Sequence, residues 1–382
     1  MLISPTPLSL ICAVILCMPL AVVFTVTSPT TVSIQSPKSS TITHRKLNLT
    51  PLLSPPPPPL DDVSLLRIAA RVNSRPPRFK KPKIAFMFLT TTPLPFAPLW
   101  EEFFRDAPKS LYRVYVHADP RFPYEPPFSG VFAGRVIHSK RAQRFTPTLV
   151  SATRRLLAHA LLDDPMNSMF ALLTPSCIPL HSFNFTYRTL AASRRSFIEI
   201  LENEVGAYDR WAARGEDAML PQVSLEEFRI GSQFWVLKRK HARLVVSDQR
   251  LWSKFKLPCE RWDTCYPEEN YFPTLLHMRD PGGCVPATLT HVDWSGRFDG
   301  HPVTYNATDV GPDLIWSLRE ERPRYGDEVN VNATEWSGSE RHDPFLFARK
   351  FRPEAIEPLM SMASDIRFPL TNRQREVCCD DQ

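Results

Sequence analysis

The sequence predicts an α/β fold, a sheet with helices laid between its strands, behind an apolar amino-terminal segment. Three observations carry this. Residues 84–89 (IAFMFL) and 169–173 (MFALL) are uncharged apolar runs, as expected of strands buried on both faces. The first run is followed by a proline-punctuated loop, a helical pattern and a second strand-like run, the opening of an α/β sheet. Residues 8–26 carry no charge, and the stretch after them is crowded with Ser, Thr and Pro.

The amino-terminal segment comes first in chain order. About 20 apolar residues as helix span the roughly 30 Å of a bilayer core. A cleaved signal peptide usually has a shorter apolar core, so the segment reads as an anchor, although no basic residue precedes it to support a cytosolic amino terminus. Either way the chain enters the secretory pathway. Residues 1–27 are then a tip and membrane anchor, 28–82 a stem and 83–382 the folded domain. The five-proline run at 55–59 is stiff and extended and cannot pack a core. Residues 61–72 suit a short helix.

Composition agrees with this route. Among 382 residues, 43% are hydrophobic, enough for a substantial core in one large or two small domains. A net charge of +6 from 46 basic and 40 acidic residues suits an anionic small molecule or a membrane surface, not a dedicated nucleic-acid groove. Acceptor sequons for N-glycosylation stand at Asn48, Asn184, Asn306 and Asn332. Six cysteines lie outside the apolar segment: Cys177, Cys259, Cys265, Cys284, Cys378 and Cys379. Their spacing is poor for zinc and fits disulfides in an oxidising lumen, with Cys259 to Cys265 the easiest local closure.

Within the domain, residues 99–105 follow the first strand as a helix, and 111–117 (LYRVYVH) form the second strand, ending at Asp119-Pro120. Asp119 sits where an α/β sheet meets a nucleotide; a cap before Pro120 is the plain alternative. Residues 148–162 have helical apolar spacing. The turn Thr174 to Leu180, rich in small polar residues after a strand, holds a typical site position. Residues 197–201 and 231–237 read as strands, the latter entering a helix near 240–247, and 202–228 as a polar, irregular loop on the substrate side. No P-loop, GxGxxG or Gly-x-Ser-x-Gly elbow is present.

The most chemical stretch is 265–274, CYPEENYFPT, with adjacent Glu268 and Glu269 among aromatics. Desolvation and the neighbouring charge can raise a carboxylate there towards general-base values. The plain alternative is a surface turn with two solvated acids in the first turn of a helix.

Eight segments in order carry a resemblance: KIAFMFLTTTPLPFAPLWEEFF, LYRVYVHADP, NSMFALLTPSCIPL, SFIEIL, GSQFWVL, CYPEENYFPTLL, LTHVDWS and FLFARKF. Together they resemble the core-2/I-branching β-1,6-N-acetylglucosaminyltransferase family in its plant-type branch. The resemblance implies a glycosyltransferase A type fold, one domain around a mainly parallel, mixed sheet, in a single-pass type II Golgi membrane protein. It implies a UDP-sugar co-substrate, a glycan or glycoprotein acceptor, and no other cofactor. Glu269 matches the family's catalytic base in a Pro-Asp-Glu stretch. Glu268 replaces the aspartate, which leaves its supporting, acceptor-side role in doubt. Lys350 matches the lysine that neutralises the leaving diphosphate, with Arg341 and Arg349 as candidates for a partner arginine. Asp119 and the loop holding Leu89, Thr90 and Thr92 match nucleoside-binding segments, and Trp294 matches an aromatic that contacts the acceptor.

The chemistry is coherent with these parts. The reaction that the resemblance implies is one inverting displacement, in which a base takes the attacking hydroxyl's proton and positive charge meets the departing diphosphate. Many sugar transferases hold a metal with Asp-x-Asp; none occurs here, and fixed cations can take its place. Two other classes stay open. One is an inactive carbohydrate-binding or scaffold protein on the same fold, favoured by Glu268 and the diverged loop 144–149. The other is a hydrolase, disfavoured because adjacent glutamates rarely face each other across a glycosidic bond.

Overall fold

Strand β1 (Lys83–Thr90) organises the molecule because its two faces serve two different cores. Side chains alternate across a strand. Ile84, Phe86 and Phe88 therefore point into one core, and Ala85, Met87 and Leu89 into the other. An uncharged run is what such a position demands, since neither face meets water. The computed structural model describes residues 60–77, 80–296, 301–327 and 341–364, all in one compact unit.

The strands that follow are β2 (Tyr112–Ala118), β3 (Asn167–Leu173), β4 (Ile178–Pro179), β5 (Ser196–Phe197), β6 (Val236–Lys238), β7 (Cys284–Val285), β8 (Thr290–Val292) and β9 (Phe347–Arg349). Six form a mixed sheet in the order β2-β1-β3-β6-β5-β7. The β1/β2, β1/β3 and β5/β7 pairs are parallel, whereas β6 runs antiparallel to β3 and β5. The other three form a small sheet, β4-β9-β8, with β8 and β9 parallel.

The helices are α1 (Asp62–Ala70), α2 (Ala97–Phe104), α3 (Pro147–Asp163), α4 (Phe183–Ala192), α5 (Ala207–Trp211), α6 (Arg239–Ser247), α7 (Trp252–Phe255), α8 (Pro267–Arg279), α9 (Pro312–Glu320) and α10 (Ile356–Ser361). Helix α2 and the small sheet cover one face of β1. There the Phe86 ring meets Phe103 and Phe104 edge-on at 5.7 and 5.1 Å, a preferred aromatic geometry. Helices α3, α6 and α8 cover the other face.

Helix α1, which the sequence reading assigns to the stem, packs on the domain. Leu65 and Ala69 are buried, Asp62 pairs with Arg155, and Arg243 donates to the Ala70 carbonyl at 3.0 Å. The core therefore begins upstream of Lys83.

Some expectations are corrected. Of 197–201, the paired strand is Ser196–Phe197, with one further bridge from Leu201 to Ile230. Of 231–237, only Val236 and Leu237 belong to the paired strand, while the Gly231 amide bonds to the Glu269 carbonyl. The stretch 202–228 is no simple exposed loop: Trp211, Met219, Val223 and Phe228 are buried. The turn after β3 serves structure, with the Cys177 carbonyl accepting from the Trp100 indole at 3.2 Å. Cys259 and Cys265 form a disulfide, but Cys177 and Cys284 are free and buried, small apolar groups in separate surroundings. Cys177 approaches Thr174, and Cys284 approaches His241.

Asn184 and Asn306 are exposed, on α4 and on a short 3-10 turn. Residues 8–26, the proline run, Asn48, Asn332, Cys378 and Cys379 lie outside the described residues. Among the described residues, no helix is long and apolar enough to cross a membrane.

Candidate active site

The amino terminus of α8 is built by its prolines. Pro267 starts the helix, where a missing N–H costs nothing, and Glu268 and Glu269 follow in the first turn, where the helix dipole favours negative charge. Pro273 lies one turn further on and has no N–H to give the Glu269 carbonyl. That carbonyl accepts instead from the Gly231 amide at 2.9 Å. Gly231 can approach so closely only without a side chain, since a Cβ there would stand 2.0 Å from the Glu199 carbonyl oxygen.

The two glutamates diverge from this turn. Glu269 Oε2 accepts from Arg210 of α5 at 2.9 Å, and that guanidinium lies over the Tyr266 ring. Glu268 is only 4% exposed, so it is not a solvated first-turn acid. Its Oε1 accepts from the Phe145 amide at 3.2 Å, while Oε2 is enclosed with no partner among the described residues. Burial pushes its pKa up to about 7, against the opposing effect of backbone hydrogen bonds.

Both carboxylates line a cavity of about 590 Å³. The parallel pair β8/β9 delivers another part of its wall. Val292 is in register with Arg349, so Trp294 and Lys350, just beyond, emerge at the same end of the small sheet. Trp294 is 53% exposed. Arg349 stacks over the Phe234 ring at 4.7 Å, and its enclosed Nε has no partner. Burial pulls the Lys350 pKa down, and the charges of Arg349, Arg144 and Arg352 add to this. Arg144, on the loop before α3, completes this cationic side.

Apart from Arg322, whose guanidinium donates to the carbonyls of Arg319, Glu320 and Glu321, the Arg and Lys side chains lining the cavity fall into two groups. Arg210 is neutralised by Glu269, and Arg324 by Glu199 at 3.0 Å and Glu204 at 3.4 Å. Arg144, Arg349 and Lys350 have no carboxylate within ion-pair distance among the described residues. A concave site with surplus positive charge is suited to an anion. Arg341, the other candidate for the partner arginine, makes a two-pronged pair with Asp343 at 2.9 and 3.1 Å and does not line the cavity. Among the described residues, no three His, Cys, Asp or Glu side chains gather as a metal cluster.

The expected nucleoside-side residues stand apart from this wall. Thr90 and Asp119 meet at the carboxyl ends of β1 and β2, where the Asp119 amide donates to the Thr90 carbonyl at 3.1 Å. The side chains of Leu89 and Thr90 are buried, and that of Thr92 is exposed. The Asp119 carboxylate is itself buried and committed, accepting from the Arg121 guanidinium and from the amides of Arg121 and Ala142. Burial alone would raise its pKa, but these bonds hold it down at about 2. Asp119 thereby anchors one end of the loop that carries Arg144.

A second polar array invites a catalytic reading and does not support one. Asp280 can only accept from His241 Nε2, at 3.0 Å, so Nδ1 accepts from Ser196 Oγ at 2.7 Å. Ser196 is fully buried and its hydroxyl also accepts from the Lys238 amide. This array fastens β5 and β6 to α6 and to the end of α8.

Comparison with known proteins bears directly on this arrangement. A profile of the family described as "Core-2/I-Branching enzyme" matches residues 84–319. The chain belongs to this family. It is 32% identical over 314 residues to "Glycosyltransferase BC10" of Oryza sativa subsp. japonica, covering 74% of this chain and 76% of that one. It is thus a glycosyltransferase. A solved structure titled as a galactosyltransferase, LgtC, with donor and acceptor sugar analogs aligns over 77% of this chain and 99% of its own. Its identity is 9% and its TM-score 0.33, a likeness too loose to bear on the site.

Sequence reading of this core-2/I-branching enzyme missed Arg144, Glu199, Arg210 and Arg324, all of which line the cavity. None lies in a spacing pattern that marks it; each arrives through a loop or short helix.

The burial of Glu268 has a measurable consequence. Between pH 4.5, its ordinary pKa, and about 7 the unfolded chain releases this proton while the folded chain keeps it. Its contribution is full below that window and is lost as pH rises through 7. Relative to Glu268→Gln, the wild type should lose stability by at most about 3 kcal/mol between pH 4.5 and 8. Urea unfolding of both proteins across that range measures the difference; parallel curves would mean that Glu268 is solvated.

Proposed function

We propose that this glycosyltransferase moves a sugar from a UDP-sugar to a hydroxyl of a glycan or glycoprotein, with inversion and without a metal, on a glycosyltransferase A type fold. The donor class is N-acetylglucosamine or a related sugar such as glucuronic acid. The observation that carries the reading is one cavity with a carboxylate from α8 on one side and unneutralised cations on another.

In this reading an acceptor hydroxyl oxygen attacks the anomeric carbon as the bond from that carbon to the diphosphate oxygen breaks. Glu269 takes the hydroxyl proton. Its ion pair with Arg210 occupies one oxygen, and a carboxylate has about four acceptor positions, so capacity remains. The diphosphate leaves with the electron pair and is met by Lys350 and Arg349, cations already fixed in the wall and needing little reorganisation. Trp294 offers an exposed indole face for a sugar ring, and Glu268 Oε2 offers a buried acid on the acceptor side. Asp119 and the Leu89, Thr90 and Thr92 segment would act near the nucleoside, chiefly through backbone and loop position.

Three tests address these parts. Glu269→Gln keeps the shape and loses the base, so transfer should fall by about 10² to 10⁴ while donor binding persists; undiminished transfer would return Glu269 to a structural acid. Activity should survive EDTA, and Lys350→Ala should weaken donor binding. Loss of activity in EDTA with recovery in manganese would overturn the metal-free reading. We also propose a Golgi-type lumenal location behind the 8–26 anchor. A carboxyl-terminal tag should then resist protease in intact vesicles, and digestion without detergent would exclude it.

A further inference from the structure

Arg144 belongs to no segment of the family resemblance, yet it lines the same cavity as Arg349 and Lys350. Its loop is held at both ends by carboxylates. Asp119 accepts from the Ala142 amide at 2.7 Å, and Glu268 accepts from the Phe145 amide at 3.2 Å. Between these bonds Phe145 is left-handed, at φ 62°, a conformation that costs a bulky residue energy and persists only where its surroundings impose it. The Phe145 ring packs edge-on against Tyr266 at 5.3 Å, and the Arg144 guanidinium lies over that ring at 4.9 Å.

The loop thus carries a cation towards the part of the cavity wall that holds Arg349 and Lys350. The three are near enough that Arg144 helps to depress the pKa of Arg349 and of Lys350, after burial as the larger cause. Like charges repel, and the cavity's own carboxylates relieve this only in part: Glu269 and Glu199 are ion-paired with Arg210 and Arg324, while the charge of Glu269 still favours that of Arg349 and Glu268 attracts Arg144 without an ion pair. Arg144 has no ion pair among the described residues. An arrangement of this kind is relieved by an anion with several acceptor oxygens, which a guanidinium can grip with two parallel N–H bonds.

We infer that Arg144 is a diphosphate ligand of the donor, a third cation beside Lys350 and Arg349, aimed by the loop strung between Asp119 and Glu268. The inference rests on the donor reading above and names a further residue for it.

Calorimetric titration of the full chain with UDP and, separately, with uridine tests it. Loss of one charge-assisted phosphate contact should weaken UDP binding by about 10-fold in Arg144→Ala. Uridine binding should change by less than about twofold, because the nucleoside has no phosphate. Arg144→Lys should recover part of the loss, since it restores the charge without the fork. Arg144 is exposed, so circular dichroism and thermal unfolding should match the wild type. UDP binding unchanged in Arg144→Ala, or a loss shared equally by uridine, overturns the role of Arg144 alone. A wild-type protein that binds UDP no better than uridine overturns the donor reading itself.

Discussion

The bond from the Gly231 amide to the Glu269 carbonyl holds the site together. It exists because Pro273 cannot use that carbonyl and because Gly231 has no side chain to keep the Glu199 backbone away. The hydrogen bond joins the first turn of α8 to the segment leading into β6, and the stretch after β5 packs closely against Gly231. Arg210 adds a side-chain tie from α5, and Arg324 reaches Glu199 from the far wall. The carboxylates therefore hang from several packed segments rather than from a free loop, which fixes their position in the cavity wall.

Electrostatics sorts the cavity into committed and uncommitted charge. The paired arginines act as struts, orienting carboxylates that would otherwise swing in water. Of the unpaired cations, Arg349 is costly where it stands: it is enclosed, its Nε is unpartnered, and it leans on the Phe234 face. Such a cost is commonly found where a ligand later provides the missing partner. Glu268 is the acidic counterpart, a buried carboxyl with one oxygen engaged by the backbone and one idle.

Much of this was legible in the sequence, for stated reasons. The runs in β1 and β3 are unbroken because both faces are dry, and α3 shows its apolar spacing clearly. The cluster PEENYFP marks the start of α8 through its prolines and acids, whereas the parallel pairing of β8 and β9 that brings HVDWS and FARKF together is a finding of the structure alone. Helix α8 itself was harder, because it is buried on most sides and has no polar face to give a period. Buried arginines were not legible at all. Arg154 donates to the carbonyls of Val245 and Asp248 and lies over Trp252, and Arg239 collects the carbonyls of Asn73, Leu161 and Asn167. Nothing in local composition separates such residues from surface ones, since their partners are backbone atoms set by the tertiary fold. Arg144 and Arg210 escaped because their place in the cavity wall is likewise set by the tertiary fold, although their partners are side chains: the Phe145 ring for Arg144, Glu269 and the Tyr266 ring for Arg210.

The parallel pairing of β8 and β9 bears on how such an enzyme can change. Trp294 and Lys350 ride on adjacent strands of one three-stranded sheet, a single step or two beyond the registered pair Val292 and Arg349. A substitution that tilts either strand moves the indole and the ammonium together. Changes in how these two side chains line the cavity would then tend to be inherited jointly when they arise in the sheet. Independent adjustment has to come from segments outside that sheet, such as α5 and the loop bearing Arg144. In a lineage of related enzymes, the sheet would be the slow-changing part and those two segments the place where divergence accumulates.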